Sequence, residues 1–151
     1  MTLAGLMLTL VALVTGGLIA LQAPINAEAA SRLGHPLAAA TMSFCIGTLV
    51  LIVLTALFAR NVTHLGALKT MPVYMLIGGG LLGAIYVTVT LVLAPKIGVA
   101  AVMALGIAGQ LVTALLIDRL GMFELLERGL SVGRVSGAVL VLVGALMVRT
   151  L

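Results

Sequence analysis

The chain has 151 residues, of which 63% are hydrophobic and 8% are charged, and its mean hydropathy is +1.37. A water-soluble domain of this length needs far more charge to cover its surface, so the composition predicts an integral membrane protein. The net charge of +4 does not indicate nucleic-acid binding, because the eight Lys and Arg residues are scattered and form no basic cluster. A single cysteine, Cys45, excludes an internal disulfide.

Five apolar segments are long enough to cross a bilayer, which takes about 20 helical residues. In chain order, we predict helices at about residues 2–23, 37–59, 73–94, 98–117 and 132–148, within a single transmembrane domain covering 1–151. The first is expected to be a retained helix and not a signal peptide, since no Lys or Arg precedes it. Pro24 either ends this helix or kinks it where it continues. The short connection "APKIG" predicts an antiparallel hairpin of the third and fourth helices.

An odd number of helices places the two termini on opposite sides of the membrane. The side that holds the N-terminus carries five basic residues, namely Arg60, Lys69, Arg119, Arg128 and Arg134. The other side carries three, namely Arg32, Lys96 and Arg149. The positive-inside rule favours a cytoplasmic N-terminus by only two residues, so we expect insertion in both orientations and an antiparallel homodimer. The alternative is that packing or lipid context imposes one orientation.

Polar side chains first interrupt the apolar pattern at the end of helix one, in "ALQAPINAEAA". Gln22 and Asn26 are four residues apart and flank Pro24, which predicts a substrate-binding face beside a kink. The alternative is an interfacial helix end whose amides meet lipid headgroups. On helix two, Thr41, Thr48 and Thr55 share one face; we interpret them as packing residues whose hydroxyls bond to the preceding turn.

Helices three and four carry polar residues near the middle of their spans. Tyr86 and Gln110 are expected at similar depth in the hairpin, where they can share a substrate site. For Gln110 the alternative is an interhelical hydrogen bond. Gly79 and Gly83 form a GxxxG pattern, which is typical of close helix packing.

The charged pair Asp118 and Arg119 lies where helix four leaves the membrane. An Asp is disfavoured near a helix C-terminus, so Asp118 requires a cationic partner, for which Arg119, Arg128 and Arg134 are candidates. The pair is either structural or takes part in ion coupling. The sequence contains no nucleophile motif, phosphate loop or metal-ligand cluster, so we expect no enzyme activity and no cofactor or metal.

Several segments together resemble the YdcZ-like family of the drug/metabolite transporter superfamily. They are "LQAPINAEA", "SFCIGTLVL", "GGLLGAIYVT", "APKIG" and "GQLVTALLIDRLGMF". The resemblance implies a bacterial inner-membrane protein of five helices that forms an antiparallel dimer. The resemblance also implies that the polar positions of the family correspond in this chain to Gln22, Asn26, Tyr86, Gln110 and Asp118. The chain departs from the family at two places. Its segment "MPVY" lacks the Trp that relatives often carry there, and Arg119 occupies a position that is often His in relatives.

Together these features predict a transporter that moves a small polar solute across the inner membrane by alternating access. Its expected partners are a second copy of the chain, the lipid bilayer and the solute, with no nucleic acid. The alternatives are a dual-topology ion channel and a helper subunit of a larger membrane complex that does not itself transport.

Overall fold

The computed structural model describes residues 2–61, 63–124 and 126–150, without the side chain of Glu124. In that part of the chain, the regular structure consists of five α-helices with three shorter helical turns. The helices are α1 (Leu3–Leu33), α2 (Pro36–Leu54), α3 (Val73–Ile97), α4 (Val99–Leu120) and α5 (Val132–Thr150). A π-helical turn, Thr55–Ala59, extends α2, and 3₁₀ turns occupy Leu65–Lys69 and Met122–Glu124. Each α-helix, α2 together with its π turn, is long and apolar enough to span a membrane, which confirms the predicted all-α class.

The first helix is ten residues longer than the predicted end at residue 23. It runs through Pro24 and ends at Leu33, where Gly34 adopts a left-handed backbone with φ 77°. Proline removes one backbone hydrogen bond, but the Ala-rich segment after it continues the helix and packs against α2. At about 1.5 Å per residue the helix is roughly 46 Å long, so it exceeds the hydrocarbon thickness and must tilt or project from the membrane.

The chain divides into two compact units, Met1–Val92 and Leu93–Leu151. In the first unit, the core joins the end of α1, the start of α2 and the later part of α3. Its fully buried members are Ala39, Ala40 and Leu91, with alanines of α1 packed around them. Small side chains allow the helix backbones to approach closely, which is how membrane helices gain contact area. From Leu3 to Ile19, in contrast, α1 is almost entirely exposed.

The second unit is built on α4 and α5, which pack against each other. Its buried residues are again small: Ala101 and Ala108 lie on α4, and Ala138 and Ala145 on α5. α4 ends at Gly121, a glycine with a left-handed backbone. The last turn of α4 lies next to the first turn of α5, where Asp118 pairs with Arg134.

The two glycines of the GxxxG pattern have different surroundings. A Cβ atom added to Gly83 would lie 3.4 Å from the Phe44 ring of α2, whereas nothing lies within 4 Å of the position beside Gly79. Within the first unit, only Gly83 of this pair is therefore at a close helix approach. Gly79 stays a predicted packing residue.

Gly83→Ile is expected to destabilise the protein by about 1–3 kcal/mol, because the added side chain forces Phe44 and α2 away from α3. The matched variant Gly79→Ile enters open space and is expected to leave stability nearly unchanged. Thermal unfolding in detergent, followed by circular dichroism at 222 nm, compares the two. Equal unfolding temperatures for both variants would contradict the close approach at Gly83.

Candidate functional site

The two amides that flank Pro24 lie in different environments. Asn26 is buried, with 5% of its surface exposed, and its Nδ2 donates a hydrogen bond to Ser43 Oγ of α2 at 3.3 Å. Gln22, one turn earlier on α1, is exposed. Asn26 thus holds α1 and α2 together, and Gln22 is the member of the pair whose amide is accessible. Sequence reasoning missed Ser43, although a serine within the apolar run of α2 signals a need for a polar partner.

The other two predicted solute ligands belong to different units. Tyr86 is partly buried on α3 in the first unit, whereas Gln110 is exposed on α4 in the second. The hydroxyl of Thr113, next to Gln110 on its helix face, donates to the Gly109 carbonyl at 3.0 Å and is already satisfied. Gln110 therefore presents the free amide on this face of the protomer. Its proximity to Tyr86 stays a prediction.

Asp118 and Arg119 each pair with a different residue and not with each other. The Asp118 carboxylate forms an ion pair with Arg134 of α5, and both side chains are about one-third exposed. Arg119 pairs with Glu127, and these two side chains are more than half exposed. Of the three arginines that the sequence offers as partners for Asp118, Arg134 forms the ion pair in the structure. Sequence reasoning also missed Glu127, since its position in the loop after α4 carries no periodic signal.

The ion pair of Asp118 lies within a set of contacts that fastens the loop between α4 and α5. The Arg128 backbone N–H donates to the Asp118 carbonyl at 2.8 Å, and Arg134 Nη1 donates to the Gly129 carbonyl at 3.3 Å. Asp118 thus accepts a bond from the loop through its backbone and from α5 through its side chain. This arrangement favours a structural role for Asp118.

Two of the α2 threonines, predicted as packing residues, line a groove. It lies between α2 and α3 and has a volume of about 560 Å³. Thr41, Cys45 and Thr48 of α2 face Ala84 and Thr88 of α3 across it. A volume of this size is typical of small-molecule sites, so the groove is a second candidate site. Its sequence signal is the heptad spacing of the threonines.

A comparison with protein families identifies the chain. The model of a family described as "Putative inner membrane exporter, YdcZ" matches residues 7–147, from α1 to α5. The chain belongs to the YdcZ family. Neither the comparison with curated proteins nor that with solved structures gave a match for this YdcZ protein.

Membership of the YdcZ family confirms the resemblance drawn from the sequence segments. The family description and the five apolar helices together place this YdcZ protein in the inner membrane as a multi-pass protein of the transporter class. The family match spans every predicted site residue, from Gln22 to Arg119. The roles of those residues stay predictions.

Proposed function

We propose that this YdcZ protein exports a small polar solute, neutral or weakly charged, across the inner membrane by alternating access. Two copies in opposite orientations would form a ten-helix transporter. The solute would bind near the membrane midplane between Gln110, Tyr86 and the face of α1 that carries Gln22, contributed by both protomers. Exchange of conformation between the two identical protomers would convert an inward-open state to an outward-open one.

The observation that carries this proposal is the exposed amide of Gln110 on a membrane helix. An amide facing hydrocarbon without a hydrogen-bond partner is costly. Thr113, one turn further on, already bonds to its own helix and offers no donor. A partner from a second protomer or from a bound solute would satisfy the amide, and a site between two protomers offers both.

Dual insertion is supported by the small charge difference between the two sides, five basic residues against three. A reporter active only in the cytoplasm and one active only in the periplasm, each fused to the C-terminus, would test it. Both reporters are expected to give signal in the same strain. Signal from the periplasmic reporter alone would show a single orientation and exclude the antiparallel dimer.

Transport itself is tested on purified protein in liposomes, by solid-supported-membrane currents and tracer uptake. The panel contains amines, guanidinium compounds, organic acids, amino acids, nucleobases, sugars and halides. A saturable response to one class, stimulated by the same solute on the far side of the membrane, is the expected result. Flux far above transporter rates, without such stimulation, would indicate a channel. The absence of currents and uptake for every solute of the panel, with intact dimers, would indicate a helper subunit.

A further inference from the structure

A second groove continues the first along α2. It has a volume of about 420 Å³ and is lined by Thr48 and Ile52 of α2, by Thr55 of the π turn, by Arg60 and by residues after it. Thr48 lines both grooves, so the two meet at this residue. We call the two grooves together, lined by Thr41, Cys45, Thr48, Thr55 and Arg60, the α2 groove.

The helical spacing explains why the threonines line one groove. Seven residues correspond to nearly two full turns, so Thr41, Thr48 and Thr55 repeat on one face with a drift of about 20° per step. From the first to the last they cover about 21 Å along the axis. The α2 groove therefore carries hydroxyl groups at regular intervals through much of the membrane thickness.

These hydroxyls differ from those of three threonines on α1 and α4. Thr9, Thr15 and Thr113 each donate to the carbonyl four residues earlier, at 2.7–3.0 Å. Among the side-chain hydrogen bonds of residues 2–61, 63–124 and 126–150, none involves the three threonines of the α2 groove. The predicted bonds from these three hydroxyls to the preceding turn are therefore not made, and the hydroxyls are available to a ligand.

The π turn at Thr55–Ala59 brings a cation to the same face. In an ordinary α-helix, Arg60 would lie roughly 140° around the axis from Thr55, since five residues turn through about 500°. A π turn contains about one residue more than an α-helical turn, so the fifth residue after Thr55 returns close to the face of Thr55. Thr55 and Arg60 accordingly line the same groove. Such turns are frequent at functional sites.

Arg60 is the one charged side chain that lines the α2 groove in the described part of the chain. The ion pairs of the described residues involve Arg32, Arg119 and Arg134. Arg60 makes only a weak contact there, from Nε to Asn61 Oδ1 at 3.4 Å. A guanidinium group of this kind can bind a carboxylate with two parallel hydrogen bonds.

We propose that the α2 groove binds an amphipathic organic monoanion, with its carboxylate on Arg60 and its apolar body beside Ile52, Thr48 and the rest of the groove. The apolar walls match the body of such a solute, and the single cation selects the charged end. The hydroxyl of Thr55, which lines the groove together with Arg60, can donate to the carboxylate. This inference goes beyond the proposed function, because the ligand binds to a surface other than the site of Gln110, Tyr86 and Gln22; binding to the groove is measurable without transport.

The test uses thiol labelling inside the groove. In a Cys45→Ser, Ile52→Cys protein, the new thiol is the only one in the chain and lies roughly 12 Å from Arg60 along the helix. Labelling by a maleimide in nanodiscs is timed with octanoate and with octanamide, its neutral counterpart. Octanoate is expected to slow labelling at least threefold in a saturable way, and octanamide by less than 1.5-fold.

Two variants of Arg60 and one control variant on this background locate the anion. Arg60→Gln is expected to abolish the protection by octanoate, and Arg60→Lys to retain part of it. Lys69→Gln removes a cation from the same loop outside the groove and is expected to change nothing. Equal protection by acid and amide, or full protection in Arg60→Gln, would overturn the inference. If octanoate gives no protection while the liposome assay shows transport of another class, the inference fails and the proposed function stands.

Discussion

Reversing the charge of either Asp118 or Arg134 is expected to destabilise the protein by about 1–2 kcal/mol, and exchanging the two residues to restore most of that loss. The pair joins α4 to α5 and is about one-third exposed, so its contribution lies between that of an exposed and a buried ion pair. Asp118→Arg places two cations side by side, and Arg134→Asp two carboxylates. Thermal unfolding of the two single variants and the exchanged double variant measures the effect.

The neighbouring ion pair supplies the control. Arg119 and Glu127 are more than half exposed, so Arg119→Glu is expected to cost less than about 1 kcal/mol. Rescue in the double variant Asp118→Arg/Arg134→Asp is the decisive observation. If both single variants unfold at the wild-type temperature, the pair contributes nothing to the hairpin of α4 and α5.

The same double variant separates the two roles of Asp118. A structural pair works in either order, so transport is expected to return together with stability. An acid that carries a coupling ion must stay on α4, and the exchange would then restore stability without transport. The bonds that Asp118 makes to both Arg128 and Arg134 favour the first outcome.

Gln110→Leu is expected to lower transport at least tenfold while leaving the stability within about 1 kcal/mol of the wild type. Interhelical hydrogen bonds in membranes contribute about 0.6 kcal/mol on average, so the loss of the amide costs little stability even if it bonds to a second protomer. Removal of a solute ligand, in contrast, acts directly on binding. Initial uptake rates in liposomes, at matched protein density, give the comparison.

Thr113→Val is the matched control for Gln110→Leu. The Thr113 hydroxyl lies on the same face of α4 but bonds to the Gly109 carbonyl, so its removal is expected to leave transport within twofold of the wild type. If Gln110→Leu transported the solute at the wild-type rate, the assignment of Gln110 to the solute site would be wrong. A large loss of stability in that variant would instead identify the amide as a helix-packing group.

The number and approximate positions of the helices were predictable from the sequence, because about 20 apolar residues between Gly- or Pro-containing connections have few other stable structures in a membrane. The ends of the helices depend on the tertiary structure. Pro24 and Pro95 both lie inside helices, since the structure around a proline decides whether it ends a helix or is accommodated. The family was also predictable from sequence, through several short segments in a fixed order.

Partners of polar side chains required the tertiary structure. Three arginines could have paired with Asp118, and only the packing of α5 against α4 selects Arg134. Gln22 and Asn26 are one turn apart, yet one is exposed and the other buried against Ser43, because the boundary of the contact between α1 and α2 passes between them.

The sequence by itself therefore determined that this YdcZ protein is a five-helix membrane protein, since hydrophobic length and composition are properties of the chain alone. The tertiary structure decided which hydroxyls of α2 line a groove and that Arg60 joins them. That outcome depends on the turn at Thr55–Ala59 being wider than an α-helical one. Such a turn leaves no periodic signal in the residues, because it rotates the later part of the chain about the helix axis without changing the hydrophobicity of its own five residues.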